Sequence, residues 1–497
     1  MIVEVIFGTA LVVGGMAIAR TGGMRGWGVL PWGFLIGIGA YLVLGSPLAM
    51  LGIPHAPVIA TAGTVLAGAG WWLRARAAGR DVAFSWPAAA AALLVVPAIV
   101  GVVRWFDVVT WHVDSLVYMN LGQLVANGTL PDAVGAYSLG KRLLGAPLMH
   151  APSAYSGEFY VTFIAPAIAL ATIGVLVWTI WRAVEPVWGR ARAVIIALLG
   201  AAVLATIARF ALHAFYVNGH LLAGAALIAF VAAGWLVLER RDGSARALYA
   251  AMALMPAVAI LTRAEGVLLA ALAAMPFVLM PAASPRARAL VLGAVGIPAV
   301  GYYGAAAVIV VSGGESLSGS NAGGFMPYIG VGVVFLVLAV LAARGLYLPW
   351  FRHGPWIAEL SLWLAPLVFL VLDGPEVMRD ALAGIWWSAN PTSGAWGGIV
   401  LVLYALALVL AATVRGDSFA VLRVSVTTYL PLMVVVAYLR GGGFRESPQD
   451  SFHRMLIQVV PMLVLYVVVA LCLGQRRMRG GGATAGPPAA EVSSASR

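Results

Sequence analysis

The sequence predicts an all-α fold, a polytopic transmembrane helical bundle of about fifteen spans. Three observations predict it. Of 497 residues, 62% are apolar and 10% charged, whereas soluble domains run at about half and about a quarter. Mean hydropathy is +0.97. The apolar residues also gather into runs long enough to cross a hydrocarbon core of about 30 Å, which takes about 20 helical residues. Water-soluble, fibrous and disordered classes are excluded together, and a disulfide scaffold is excluded because Cys472 is the single cysteine.

In chain order the runs fall at 2–19, 28–50, 56–73, 87–103, 159–181, 193–212, 215–238, 246–262, 265–283, 289–311, 328–343, 357–372, 397–414, 424–439 and 455–474. The first has no basic residue before it and Arg20 and Arg25 after it. A cleavable leader carries its charge in front, so this run reads as a retained helix. Gly and Pro inside the runs are tolerated where neighbouring helices satisfy freed backbone groups. No internal repeat is visible.

Arginine placement sets the expected orientation. One set of loops holds 21 of the 30 basic residues, and the opposite face holds 12 of the 19 acidic ones. Positive charge marks the cytoplasmic side. An odd number of spans then puts the N-terminus outside and the C-terminus in the cytoplasm of a multi-pass protein of the cell (inner or plasma) membrane. The net charge of +11 is thereby a topology signal, and no nucleic-acid partner is expected. Four units follow: N-terminal accessory helices over 1–86, a core over 87–283, C-terminal helices over 284–479, and a Gly/Ala/Pro/Ser-rich cytoplasmic tail, expected to be disordered, over 480–497.

Cytoplasmic connections are short, whereas the outer segments 104–158, 312–327, 373–396 and 440–454 are longer. The first is too long for a plain connector, and such loops are usually functional. From Asp114 to Ala126, apolar residues recur at Leu116, Val117, Leu121, Leu124 and Val125, a helical stripe that would lie in the interface. Asn127 and Gly128 should stop it. Asp107 and Asp114 stand seven apart, so a continuous helix would hold both on one face, roughly 10 Å apart along the axis. They read either as solvated loop acids or as a general base at the membrane surface. Cations share that side: Lys141 and Arg142 in the same loop, Arg263 beside Glu265 in a tight turn, and Arg454 beside His453 where the last run begins. Such residues either anchor helix ends or grip phosphate through bidentate guanidinium contacts. The seven histidines show no zinc spacing. No nucleotide-binding loop or serine-hydrolase elbow is present. A divalent cation, Mg or Mn, would find its first-loop ligands among Asp107, Asp114 and Glu158.

Three stretches together resemble the GT-C superfamily of integral-membrane glycosyltransferases: WHVDSLVYMNLGQLVANGTLPD after a hydrophobic helix, AVAILTRAEGVLLAALAAMPFVL, and DSFHRMLIQVVPMLVL near the end. The likeness covers about residues 87 to 283 best. It implies a GT-C-like core, a polyprenyl-phosphate-linked sugar as donor, and a glycan, lipid or protein as acceptor, with membrane lipids around it and the active site on the outer face. The family's loop acid maps onto Asp114, with Asp107 as competitor. Its basic turn maps onto Arg263, and Arg454 resembles a late basic residue of many members. Where many members carry a second acid, this chain has Asn218 in HAFYVNGH. A polyprenyl phosphate leaves without protonation, so one base and a few cations suffice, unlike the carboxyl pair of a glycosidase. A single displacement would invert the anomeric carbon. Two other readings of the same residues stand beside it: a transporter or flippase of lipid-linked glycans, and an O-antigen-ligase-like transferase.

Overall fold

A computed structural model describes residues 1–80, 86–110, 113–133, 139, 143–239, 245–314, 325–346, 353–376, 379, 382–383, 386, 396–414, 418–440 and 454–479. Among these residues the chain is helical and no strand forms. Nine of the described helices are long and apolar enough to cross a membrane, which makes the protein a multi-pass helical membrane protein. Five shorter apolar helices accompany them.

The chain opens with α1 (Ile2–Thr21), α2 (Val29–Met50) and α3 (Ala56–Ala77). Arg20 in the last turn of α1 complements the helix dipole. The α1–α2 crossing is backbone to backbone: a Cβ on Gly15 would lie 1.8 Å from the Gly33 carbonyl oxygen, and one on Gly37 would lie 2.0 Å from that of Leu11. Glycine is required at both, as in other membrane helix pairs that approach without side chains between them. Next come α4 (Trp86–Phe106), α5 (Val113–Asn127), and the short α6 (Leu130–Ala133) and α7 (Gly145–His150). The long α8 (Ile164–Trp188), α9 (Arg190–Thr206), and the single turn α10 (Ala208–His213) follow.

The bundle is centred on α11 (His220–Glu239), which is buried along nearly its whole length and is apolar all round, as a core helix must be. Around it stand α8, α12 (Ala245–Thr262), α13 (Gly266–Leu279), α18 (Phe419–Thr427) and α20 (Val460–Arg479). The pair α14 (Pro285–Ser312) and α15 (Phe325–Ala343), then α16 (Gly354–Asp373), α17 (Gly398–Thr413) and α19 (Tyr429–Arg440), complete the chain.

Two arginines of the arginine-rich loops make defined contacts. Arg288 is buried and donates from Nε to the Val278 carbonyl at 2.9 Å and from Nη2 to that of Met280 at 2.7 Å, which satisfies the open C-terminal carbonyls of α13. Arg423 on α18 is 3.1 Å from the Glu359 carboxylate on α16, with its guanidinium 4.0 Å from the Trp356 ring centroid. Thr427 donates to the other Glu359 oxygen, so both oxygens of this buried carboxylate are satisfied and the pair ties α16 to the bundle.

Several expected boundaries differ. The run 159–181 is helical from Ile164 to Trp188. The run 193–212 breaks at Ile207, whose backbone is extended (φ −72°, ψ 110°), at two successive β-branched residues with weak helix preference. The run 215–238 begins at His220, and 424–439 is divided at Thr428. The tail 480–497 lies outside the described residues.

Candidate functional site

The segment 104–158 carries the helix that the stripe predicts: α5 spans Val113–Asn127 and stops at Gly128, which takes φ +72°. Its start is pinned. Thr110 and residues 215–217 exchange backbone bonds, Thr110 N–H to the Phe215 carbonyl at 2.7 Å and Val217 N–H to that of Thr110 at 3.2 Å. The buried Ser115 hydroxyl donates to the Val217 carbonyl at 2.7 Å. Asp114 is the second residue of this helix, one turn before Tyr118. The continuous helix that would align it with Asp107 does not form: α4 ends at Phe106 and the exposed Asp107 turns the chain with φ +45°.

Inward from α5 lies a buried polar cluster joining four segments distant in sequence. Arg263 Nε donates to Glu265 Oε1 at 2.9 Å and its Nη1 reaches the Tyr118 hydroxyl at 3.4 Å. Gln458, in the turn before α20, donates from Nε2 to the same Glu265 oxygen at 3.0 Å. Tyr429, opening α19, donates to the Met455 carbonyl and lies 3.4 Å from Gln458 Oε1. Arg263 and Glu265 are 8% and 1% exposed. Burial alone would lower the Arg263 pKa; Glu265, with Tyr118, outweighs it and holds the guanidinium above its ordinary range. Three stretches singled out in the sequence therefore meet: the first-loop helix, the basic turn and the start of the last helix.

A second cationic group adjoins it. Beyond the Ile207 break, α10 carries Arg209 and His213. The His213 ring is fully buried, with Nδ1 2.7 Å from the Arg209 carbonyl and the Trp396 ring 6.2 Å away. A carbonyl only accepts, so Nδ1 carries the proton. Burial first, and then the charges of Arg209 and Arg454, lower this histidine to about 4, and Arg454 also bears on Arg209 directly. Arg209 is not among the site residues that the sequence singles out. Its signal was an arginine inside an apolar run, four residues before a histidine and so on the same helical face.

Elsewhere on this end, Arg104 donates to Glu4 at 3.3 Å and to Glu158 at 3.1 Å, and the Thr162 amide and hydroxyl complete the Glu4 shell at 2.9 and 3.0 Å. Glu158 is thus a partner of Arg104. Among the described residues no three His, Cys, Asp or Glu side chains gather as ligands. Asn218, standing where a second acid was sought, accepts the His220 amide at 2.9 Å and caps α11. Lys141, Arg142 and His453 lie outside the described residues.

His150, buried in the same layer, accepts the Val161 amide on Nδ1 at 3.2 Å, and burial lowers it to about 4. His150 and His213 both carry folded values below the unfolded 6.5, so the unfolded chain takes up protons that the folded chain refuses. Their stabilisation is complete above about pH 7 and is lost as pH falls from about 6.5 towards 4. At pH 5 the expected loss is about 2 kcal/mol per histidine. Thermal midpoints at pH 7.5 and 5.0 check this: His150→Gln and His213→Gln should each flatten the acid slope, and a slope identical to wild type would remove the assignment.

No family model matches the chain, and the curated proteins and solved structures give no match either.

Proposed function

We propose that the protein is a GT-C-type membrane glycosyltransferase that moves a sugar from a polyprenyl-phosphate-linked donor to an acceptor hydroxyl at the outer face of the membrane. In this reading the shorter apolar helices cross as well, giving about fifteen spans, with the N-terminus outside and the C-terminus cytoplasmic. One observation carries the proposal: Tyr118 on the first-loop helix, Arg263 and Glu265 in the basic turn, and Gln458 before the last helix form one buried cluster, with Asp114 a turn away on α5 and the Arg209–Arg454 pair alongside.

The chemistry follows from those parts. The Asp114 carboxylate takes the acceptor hydroxyl's proton as that oxygen bonds to the anomeric carbon. The anomeric carbon–phosphate oxygen bond breaks, its electrons pass to the departing phosphate, and configuration inverts. Arg454 and Arg209 offset the charge that develops there. Arg263 is the positioning residue that fixes α5 relative to the last helix. Incubating the purified protein in lipid with a panel of polyprenyl-phospho-sugars and acceptors, read by mass spectrometry, tests it. One carrier should be consumed as an acceptor gains the sugar. Movement of carrier across liposomes with no new glycosidic bond would make the protein a flippase instead.

A further inference from the structure

The break at Ile207 sets α10 apart from α9 and leaves it attached elsewhere. Ile207 is extended (φ −72°, ψ 110°), and its carbonyl starts the new turn by accepting the Ala211 amide at 3.1 Å. From α10 a run of hydrogen bonds leads to α5. His213 Nδ1 donates to the Arg209 carbonyl at 2.7 Å, and the Tyr216 amide donates to the His213 carbonyl at 3.4 Å. On one side of Tyr216, the Phe215 carbonyl accepts the Thr110 amide at 2.7 Å and the Thr110 hydroxyl at 3.2 Å. On the other, the Val217 amide donates to the Thr110 carbonyl at 3.2 Å. Ser115, next in the chain to Asp114, donates to the Val217 carbonyl at 2.7 Å.

Packing stiffens the middle of this run. Rings surround the fully buried His213: Tyr216 and His220 meet it edge-on, with centroids 5.9 and 6.5 Å away, and Trp396 lies at 6.2 Å. Behind it, a Cβ on Gly219 would lie 2.7 Å from Thr262 Cγ2, so the connection backs onto the end of α12 just before Arg263. Opening any one of these bonds strands a partner, and contiguous segments joined in this way open together. A residue at the end of an element, such as Ile207, is where a hinge absorbs the change of backbone angle. We infer that α10, the connection 214–217 and the start of α5 move as one block hinged at Ile207, with His213 and Ser115 as positioning residues that fix Arg209 relative to Asp114. The roles of Arg209 at the donor phosphate and of Asp114 as base rest on the glycosyltransferase reading; the block itself does not.

Hydrogen exchange of the full chain in lipid nanodiscs, read by mass spectrometry, tests the block without any substrate. His213→Phe keeps a ring beside Trp396 but removes the donor to Arg209, and Ser115→Ala removes the bond to Val217. Each should speed exchange about tenfold on both sides of the contact, in the peptide bearing Thr110 and in the one spanning α10. The distant α14 and α15 should exchange as in wild type. His213→Asn, whose side-chain amide can donate in place of Nδ1, should restore slow exchange. A response confined to the substituted side would overturn the block. Transfer kinetics test the positioning role: both variants should lower kcat by about 10²-fold, the cost of a misplacement of about 1 Å, with donor KM unchanged. His213→Asn should recover most of that rate. Coupled exchange with a wild-type kcat would overturn the positioning role. Absence of transfer by wild type with every donor would instead defeat the glycosyltransferase reading and the two roles with it, while the exchange results would still decide the block.

Discussion

Asp114→Asn should lower sugar transfer by about 10²- to 10⁴-fold, the range expected when a positioned general base is lost, and should leave insertion and the thermal midpoint at their wild-type values. The amide keeps the size of the carboxylate but cannot hold the proton. Ser115 is bonded to the Val217 carbonyl and Tyr118 meets Arg263 one turn later, so α5 has anchors of its own on either side of that turn. Asp107→Asn is the matched comparison, since asparagine also tolerates the left-handed backbone found at 107. Mass spectrometry of the product from both variants decides between them. An inactive Asp107→Asn beside a fully active Asp114→Asn would transfer the role of base to Asp107, and full activity in both would remove the carboxylate mechanism.

Hydrophobic periodicity made the helices and even the limits of α5 legible, because it reports how each residue is buried relative to its neighbours. Asn127 and Gly128 end that helix as their conformational preferences require. The partners of the buried polar groups were not legible. Arg263 and Tyr118 are separated by 145 positions and Glu265 and Gln458 by 193, and a local pattern carries no information on contacts at that distance. Gln458 sits in an apolar run and draws no notice until Glu265 is found against it. Arg209 became part of the site only through the break at Ile207, a single backbone angle that composition does not register. Arg288 and Arg423 were legible as topology signals, yet their caps and ion pairs depend on which helix ends lie beside them. Glu4 and Arg104 likewise lie 100 positions apart in sequence. The motifs thus named regions that meet in the fold, while the three-dimensional arrangement decided what each charge contacts within them.

That distinction is sharpest at Arg263, where sequence alone suggests phosphate contact and the geometry suggests a brace. Arg263→Met should destabilise the protein by about 3–5 kcal/mol, because it leaves the Glu265 carboxylate buried without its cation. Only Gln458 would still donate to that carboxylate among the bonds described at it. Replacing both partners, Arg263→Met with Glu265→Leu, removes the stranded charge, and much of the lost stability should return even though the ion pair is gone. A residue whose work is to hold a donor phosphate would behave differently: its loss would cut transfer in a protein that melts normally, and the second substitution would restore nothing. Thermal midpoints of the two single variants and the double variant in lipid nanodiscs distinguish these. If Arg263→Met melts with wild type, the brace is wrong, and Arg263 returns to the donor site with Arg454. If the double variant recovers its fold but not its activity, the cluster sets the position of α5, and Asp114 with it, through the Arg263–Tyr118 contact that neither methionine nor leucine can replace.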